Sequence, residues 1–237
     1  MMIERIKSVD RAIDLLECFT EEKNQIGVTE LARLIGLTKP SAYRLAETLL
    51  TRGYLIKDPD RLRYRIGPKV LNLSKIFFYK VDIRTMALPH MNKLHDAFNE
   101  GIFLFVAIDD KRVCIESYES TQPLRRVIPV GEALPLGIGA SGKLLVAYQG
   151  FESYQELDPQ ELNQIRKQGY SVSHGETGEN ISAVAVPIKN HLGQVIGALT
   201  MAGSSLRYTG EYISRYIPVM QQHGDSISHE LGFLTNR

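Results

Sequence analysis

Thr29–Leu55 reads TELARLIGLTKPSAYRLAETLLTRGYL, and its punctuation decides the fold of the N-terminal third. Thr29 caps a short helix whose apolar face is Leu31, Ala32, Leu34 and Ile35. Gly36 ends that helix, because glycine takes the left-handed C′ conformation without the penalty a Cβ brings. Leu37 is the buried residue of the turn. Thr38 caps a second helix running to about Arg52, with Pro40 in its first turn, where the missing N–H has no helical acceptor. Ala42, Leu45, Ala46 and Leu49 form its inner face, and Gly53 stops it.

Working outward, Val9, Ala12, Ile13, Leu16 and Phe19 recur at helical spacing and predict an amphipathic helix capped by Ser8. Downstream, Tyr54–Lys57 and Arg61–Ile66 are extended runs flanking Asp58-Pro59-Asp60, a turn that predicts a β-hairpin. Helix, helix, turn, helix, hairpin is a winged helix-turn-helix.

Charge supports a nucleic-acid role for this segment alone. The whole chain has 28 Lys/Arg against 27 Asp/Glu, but residues 33–69 hold nine Lys/Arg and three Asp/Glu. A basic stretch in a neutral protein is the electrostatic footprint of a DNA-facing module. With the inner face buried, Lys39, Ser41, Tyr43 and Arg44 are turned toward the major groove, where Arg44 suits guanine O6 and N7. Arg61, Arg63 and Arg65 on the wing suit the phosphate backbone or minor groove. Thr29, at the start of its helix, joins this DNA-binding set. The alternative is a helical hairpin module with solvated charges that binds protein.

The remainder reads differently. Gly67-Pro68 punctuates the chain, and a helix with Val70, Leu73, Ile76 and Phe77 on one face follows as a linker. A longer helix spans about Asp82 to Asn99. Strands are predicted at Ile102–Ile108, Arg112–Ser117, Arg125–Val130, Tyr170–His174, Ile181–Lys189 and Gln194–Ala202. Helices are predicted at Ala140–Tyr148, Pro159–Gln168 and Glu211–Phe233. Mostly antiparallel strands with surrounding helices make an α+β sensor-type domain. The expected domains are 1–67, winged helix-turn-helix; 68–81, linker helix; and 82–237, effector binding.

Ser8-Val-Asp-Arg-Ala-Ile-Asp-Leu-Leu16, Leu31–Leu37, Lys39-Pro-Ser-Ala-Tyr-Arg-Leu45 and Gly53-Tyr-Leu55 are followed downstream by Gly131-Glu-Ala-Leu-Pro-Leu136, Ala140-Ser-Gly-Lys143, Gly169-Tyr170, Ala185-Val-Pro-Ile188 and Gly193. Together, and in this order, they resemble the IclR family of bacterial transcriptional regulators over almost the whole chain. The resemblance implies a GAF-like effector domain, double-stranded operator DNA and a small-molecule carboxylate effector as partners, and self-association as a dimer or dimer of dimers. By position it implies a pocket of Ala140, Ser141, Ser173, Ile181, Ala183, Thr200 and Ala202. Backbone N–H groups at Ala140 and Ser141 would hold the carboxylate at a helix N-terminus. Gly137 stands where many members carry His, and Ala183 and Ala202 where several carry Cys or Ser. These departures leave a larger apolar or aromatic acid and a lost or altered ligand as alternatives.

Other chemistry finds little support. Gly137–Lys143 matches the P-loop spacing, but Leu144 stands where Ser or Thr must hold magnesium. His174-Gly-Glu176 lacks the paired cysteines of a zinc deaminase. His90 and His95 are five apart and share no ligating face. Cys18 and Cys114 lie in apolar runs without metal spacing, and Cys114 reads as an inert buried thiol. Ser141 has no nucleophile elbow or acid–base partner. Phe77, Phe78 and Tyr79 read as packing between linker helices. No catalytic residue, metal or cofactor is expected. No run has the length of a membrane span and no h-region opens the chain, so the expected setting is cytoplasmic. The competing readings are an enzyme or metabolite carrier with a vestigial DNA module, and an architectural DNA binder whose C-terminal part only oligomerises.

Overall fold

The computed structural model describes residues 6–20, 22–73, 82–150, 154 and 157–234. The chain divides into two compact units, residues 1–80 and 81–237.

The first unit contains α1 (Lys7–Glu17), β1 (Ile26–Gly27), α2 (Val28–Leu34), α3 (Lys39–Thr51), β2 (Leu55–Lys57) and β3 (Arg63–Ile66). Leu15, Ile26, Leu31, Ala46, Leu55 and Tyr64 form its core. The expected winged module is present, with local corrections. Ile6, not Ser8, is the N-cap of α1. Leu15 is the buried residue of α1, while Val9 and Ile13 are exposed. Helical spacing admits both stripes; only the packing of α1 against α3 selects the one that contains Leu15. Gly27, not Thr29, caps α2, and Leu34 is exposed. A strand absent from the sequence reading, β1, pairs with β3 and makes the sheet order β1-β3-β2. Two residues are too short for any periodicity to reveal. Helical backbone continues at 69–73; the predicted linker positions Ile76, Phe77, Phe78 and Tyr79 lie outside the described residues.

The second unit contains α4 (Ile83–Phe98), β4 (Gly101–Ile108), β5 (Lys111–Tyr118), β6 (Ala133–Pro135), α5 (Gly139–Gln149), α6 (Pro159–Gln168), β7 (Ser171–His174), β8 (Ile181–Lys189), β9 (Val195–Ser204) and α7 (Gly210–Glu230). Among the described residues its six strands form one antiparallel sheet in the order β6-β5-β4-β9-β8-β7. Ile102, Leu104, Val184, Leu199 and Met201 pack on one face with Met91 and Leu94 of α4 and Met220 and Ile227 of α7. Phe103, Phe105, Ala183, Ala185 and Ala202 face the other way, with Ala140, Leu144 and Ala147 of α5. Burial on both faces explains the unbroken apolar run of β4 and the apolar stretch 183–188 of β8.

The strand expected at Arg125–Val130 does not form. Pro129 lacks an N–H for a ladder, and pairing with β5 begins only beyond it, where Gly131 donates to the Cys114 carbonyl at 2.7 Å. The strand of this region is therefore β6. No helix among the described residues is long and apolar enough to cross a membrane.

Candidate functional site

In the first unit, α3 starts at Thr38, whose hydroxyl pairs with Ser41 Oγ at 3.0 Å. Ala42 and Ala46 are fully buried, which leaves Lys39, Ser41, Tyr43, Arg44 and Thr48 exposed. Ser41, Arg44 and Thr48 border a groove together with Leu37, Leu45 and, from α1, Ser8 and Arg11. Arg11 was not singled out from sequence, since only packing brings α1 beside Arg44. The wing turn is held by Asp58, whose Oδ1 accepts from the backbone N–H of Asp60 (2.9 Å) and Arg61 (3.0 Å). Those two bonds hold the Asp58 carboxyl below the usual range. Arg63 and Arg65 are exposed on either side of buried Tyr64. Arg63 also donates to the Gln25 carbonyl at 3.0 Å. Thr29 is exposed in the first turn of α2 and is not among the residues that line the groove.

In the second unit, one small cavity of about 20 Å³, room for about one water, lies between the sheet and α5. Ala140, Ser141, Ser173, Ile181, Ala183, Thr200 and Ala202 all line it. The sheet register explains the assembly. Ser173 pairs with Ala183 and Ala183 with Ala202, while Phe103 pairs with Thr200. These cross-strand rows put alternate residues of four strands on one face. Small side chains there leave room under α5, whose N-cap, Ile138, offers no side-chain oxygen to the first amides.

Sequence reasoning missed the cationic part of this cavity. Arg112 and Arg126 line it, as do Phe103, Phe105, Ile128, Gly139 and Thr177. Arg112 is only 4% exposed. Its Nη1 donates to the carbonyls of Pro135 and Ile138, its guanidinium lies 5.5 Å over the Phe105 ring, and its Nε has no partner. Burial, followed by the charge of Arg126, pushes Arg112 down to about 10, so it remains cationic at neutral pH. Thr200 Oγ1 is also buried without a partner. A buried polar group in this condition is costly and marks where a ligand or water belongs.

The glycines of the P-loop-like run serve this arrangement. A Cβ at Gly142 would collide with Arg112 Nη1. Gly139 has φ +73° and sits against Thr177. The segment after β7 folds back to this point: Gly139 N–H donates to Glu176 Oε2 at 2.9 Å, and Lys143 donates to Glu176 (2.6 Å) and Glu161 (2.7 Å). Burial alone would lower the proton affinity of Lys143, but the two carboxylates outweigh it and raise the ammonium above its ordinary value. The Cys114 thiol is buried and pushed up to about 11 by desolvation, which makes it a poor nucleophile.

Comparison with known proteins follows the same division. The HTH-type transcriptional regulator XynR of Escherichia coli (strain K12) is 28% identical, over 96% of this chain and 98% of its own. The crystal structure of Pseudomonas aeruginosa HmgR superposes with a TM-score of 0.81 at 21% identity, covering 98% of this chain and 100% of that one. An IclR homologue from Microbacterium hydrocarbonoxydans, solved in complex with 4-hydroxybenzoate, covers 94% of this chain and 98% of its own with a TM-score of 0.56 and 20% identity. The model of the IclR helix-turn-helix domain matches residues 8–59, and that of the bacterial transcriptional regulator IclR C-terminal domain matches 77–158 and 155–229. Helix-turn-helix and effector unit are thus each accounted for, in the expected order, and the chain belongs to the IclR family of transcriptional regulators.

Proposed function

We propose that this regulator is a repressor whose affinity for a palindromic operator is altered by a small organic acid bound in the second unit. The observation that carries the reading is the cavity itself: Ala140 and Ser141 at the start of α5, the unpartnered Arg112 Nε and the unpartnered Thr200 Oγ1 line one space over a small-residue sheet face. Such donors suit a carboxylate. The 4-hydroxybenzoate complex of the Microbacterium homologue gives a precedent for an acid in this fold.

On the DNA side, Lys39, Ser41, Tyr43 and Arg44 contact base edges and phosphates, and Arg61, Arg63 and Arg65 follow the backbone or minor groove. Thr29, exposed at the start of α2, completes this set. Residues 1–67 form the DNA-binding domain, 68–81 the linker and 82–237 the effector domain, and the cytoplasmic protein binds DNA as a dimer or a dimer of dimers. The acid selects one arrangement of the effector domains and so changes the spacing of the two winged modules.

Two measurements test this together. Thermal unfolding across an organic-acid panel identifies a ligand by mass-action stabilisation. Operator affinity is then compared with and without that acid, on sites selected from random duplexes. Equal affinities would remove the allosteric claim, and a panel that leaves the unfolding temperature unmoved would favour the purely architectural DNA binder.

A further inference from the structure

Among the described residues, two guanidiniums and no acidic side chain line the cavity. Arg112 arrives from β5 and is buried, with both carbonyl bonds made through Nη1 and none through Nε. Arg126 arrives separately, from the irregular segment that leads to Ile128, and is half-buried. Among the described residues it has neither a hydrogen bond nor an ion pair, whereas its neighbour Arg125 pairs with Glu119 at 3.7 Å. Glu176, whose charge reaches Arg112 from outside the lining, is already held by Gly139 N–H and Lys143. The walls between the cations are Phe103, Phe105 and Ile128. Like charges facing one poorly solvated space are unfavourable until anions join them, and one carboxylate would leave the other guanidinium uncompensated.

We infer that the cavity selects a dicarboxylate, an acid with two charged ends and an apolar middle. One end meets Arg112 Nε and the amides of Ala140 and Ser141, the Gly139 amide being held by Glu176; the other meets Arg126. The closed cavity is smaller than such an acid, so the half-buried Arg126 side must move outward to admit it, and the middle then lies on the two phenyl rings. This rests on the carboxylate reading of the same cavity and adds to it the second charge, with Arg126 as the residue that reads it.

The test is calorimetric titration of the full-length protein with matched pairs, adipate against hexanoate and isophthalate against benzoate, with phenyl phosphate as a compact dianion. Each dicarboxylate is expected to bind about tenfold or more tightly than its partner, the size of one charge-assisted contact. In Arg126→Met, adipate and isophthalate should weaken to the level of hexanoate and benzoate, whose own binding is unchanged. Equal affinities within each pair in the unaltered protein, a preference that survives in Arg126→Met, or phenyl phosphate binding more tightly than both dicarboxylates would each overturn this inference and leave the carboxylate reading standing. An absence of binding by all five acids would overturn both.

Discussion

Glu47 of α3 accepts a 2.7 Å hydrogen bond from the hydroxyl of Tyr64 on β3. Lys57 of β2 joins them, 3.4 Å from Glu47 and 5.1 Å from the centre of the Tyr64 ring. The helix that carries Arg44 and the wing that carries Arg63 and Arg65 are thereby locked to one another. Tyr64→Phe keeps the packing and removes this bond. It should destabilise the first unit by about 1 kcal/mol, read as an earlier onset of urea unfolding, and weaken operator binding without changing its sequence preference.

Arg44 and the wing arginines should behave differently on DNA. Arg44→Ala is expected to cost about 1–3 kcal/mol and relax specificity at one base position. Arg65→Ala should weaken all sequences alike and reduce the salt dependence of log K by about one unit of slope. Fluorescence anisotropy titrations at several salt concentrations separate the two.

Gly142 is the position where α5 makes room for Arg112. Gly142→Ala should lower stability by roughly 1–3 kcal/mol, as overpacking does. It should also abolish acid binding, because the guanidinium must leave its two carbonyls. Thermal unfolding and calorimetry check the two effects; an alanine variant with unchanged unfolding temperature would show that the contact is soft.

Lys143 ties α5 to Glu161 of α6 and to Glu176 of the β7–β8 connection. Lys143→Met removes both bonds. Because the two carboxylates are partly exposed and regain water, the expected stability loss is only about 1 kcal/mol. The larger effect should be local. Amide hydrogen exchange should accelerate across residues 175–180 and at Gly139, while the β8–β9 ladder stays protected.

His223 gives stability a pH dependence. Its Nδ1 lies 2.8 Å from His90 Nδ1, and His90 Nε2 lies 3.1 Å from Glu230 on the same helix as His223. Burial, then the neighbouring His90 and Lys93, hold the His223 pKa below its ordinary 6.5. A lowered histidine pKa means that the folded state favours the neutral ring. The associated stability is therefore complete above the unfolded value and lost as pH falls through the folded one. The unfolding temperature should drop as pH is lowered below the ordinary 6.5, and His223→Asn should flatten that drop.

Much of this molecule was legible as local code. Asp158, Pro159 and Gly169 bound α6, and Asp82 caps α4 through its bond to Thr85 N–H at 2.7 Å. Alternation put Ala183, Thr200 and Ala202 on one sheet face, where the family resemblance had already set them. Such signals lie within a few residues of the backbone they govern, so sequence alone carries them. Arg112 shows where this ends. Between Lys111 and Val113, a charged residue on a strand reads as solvent-facing. It is buried because β6 and the start of α5 bring the carbonyls of Pro135 and Ile138 to its guanidinium. Likewise Arg126 sits in what reads as a strand, and Leu15 and Ile13 compete for one helix face. Periodicity tells which residues share a face; what covers that face depends on distant segments, and only the tertiary structure decided it.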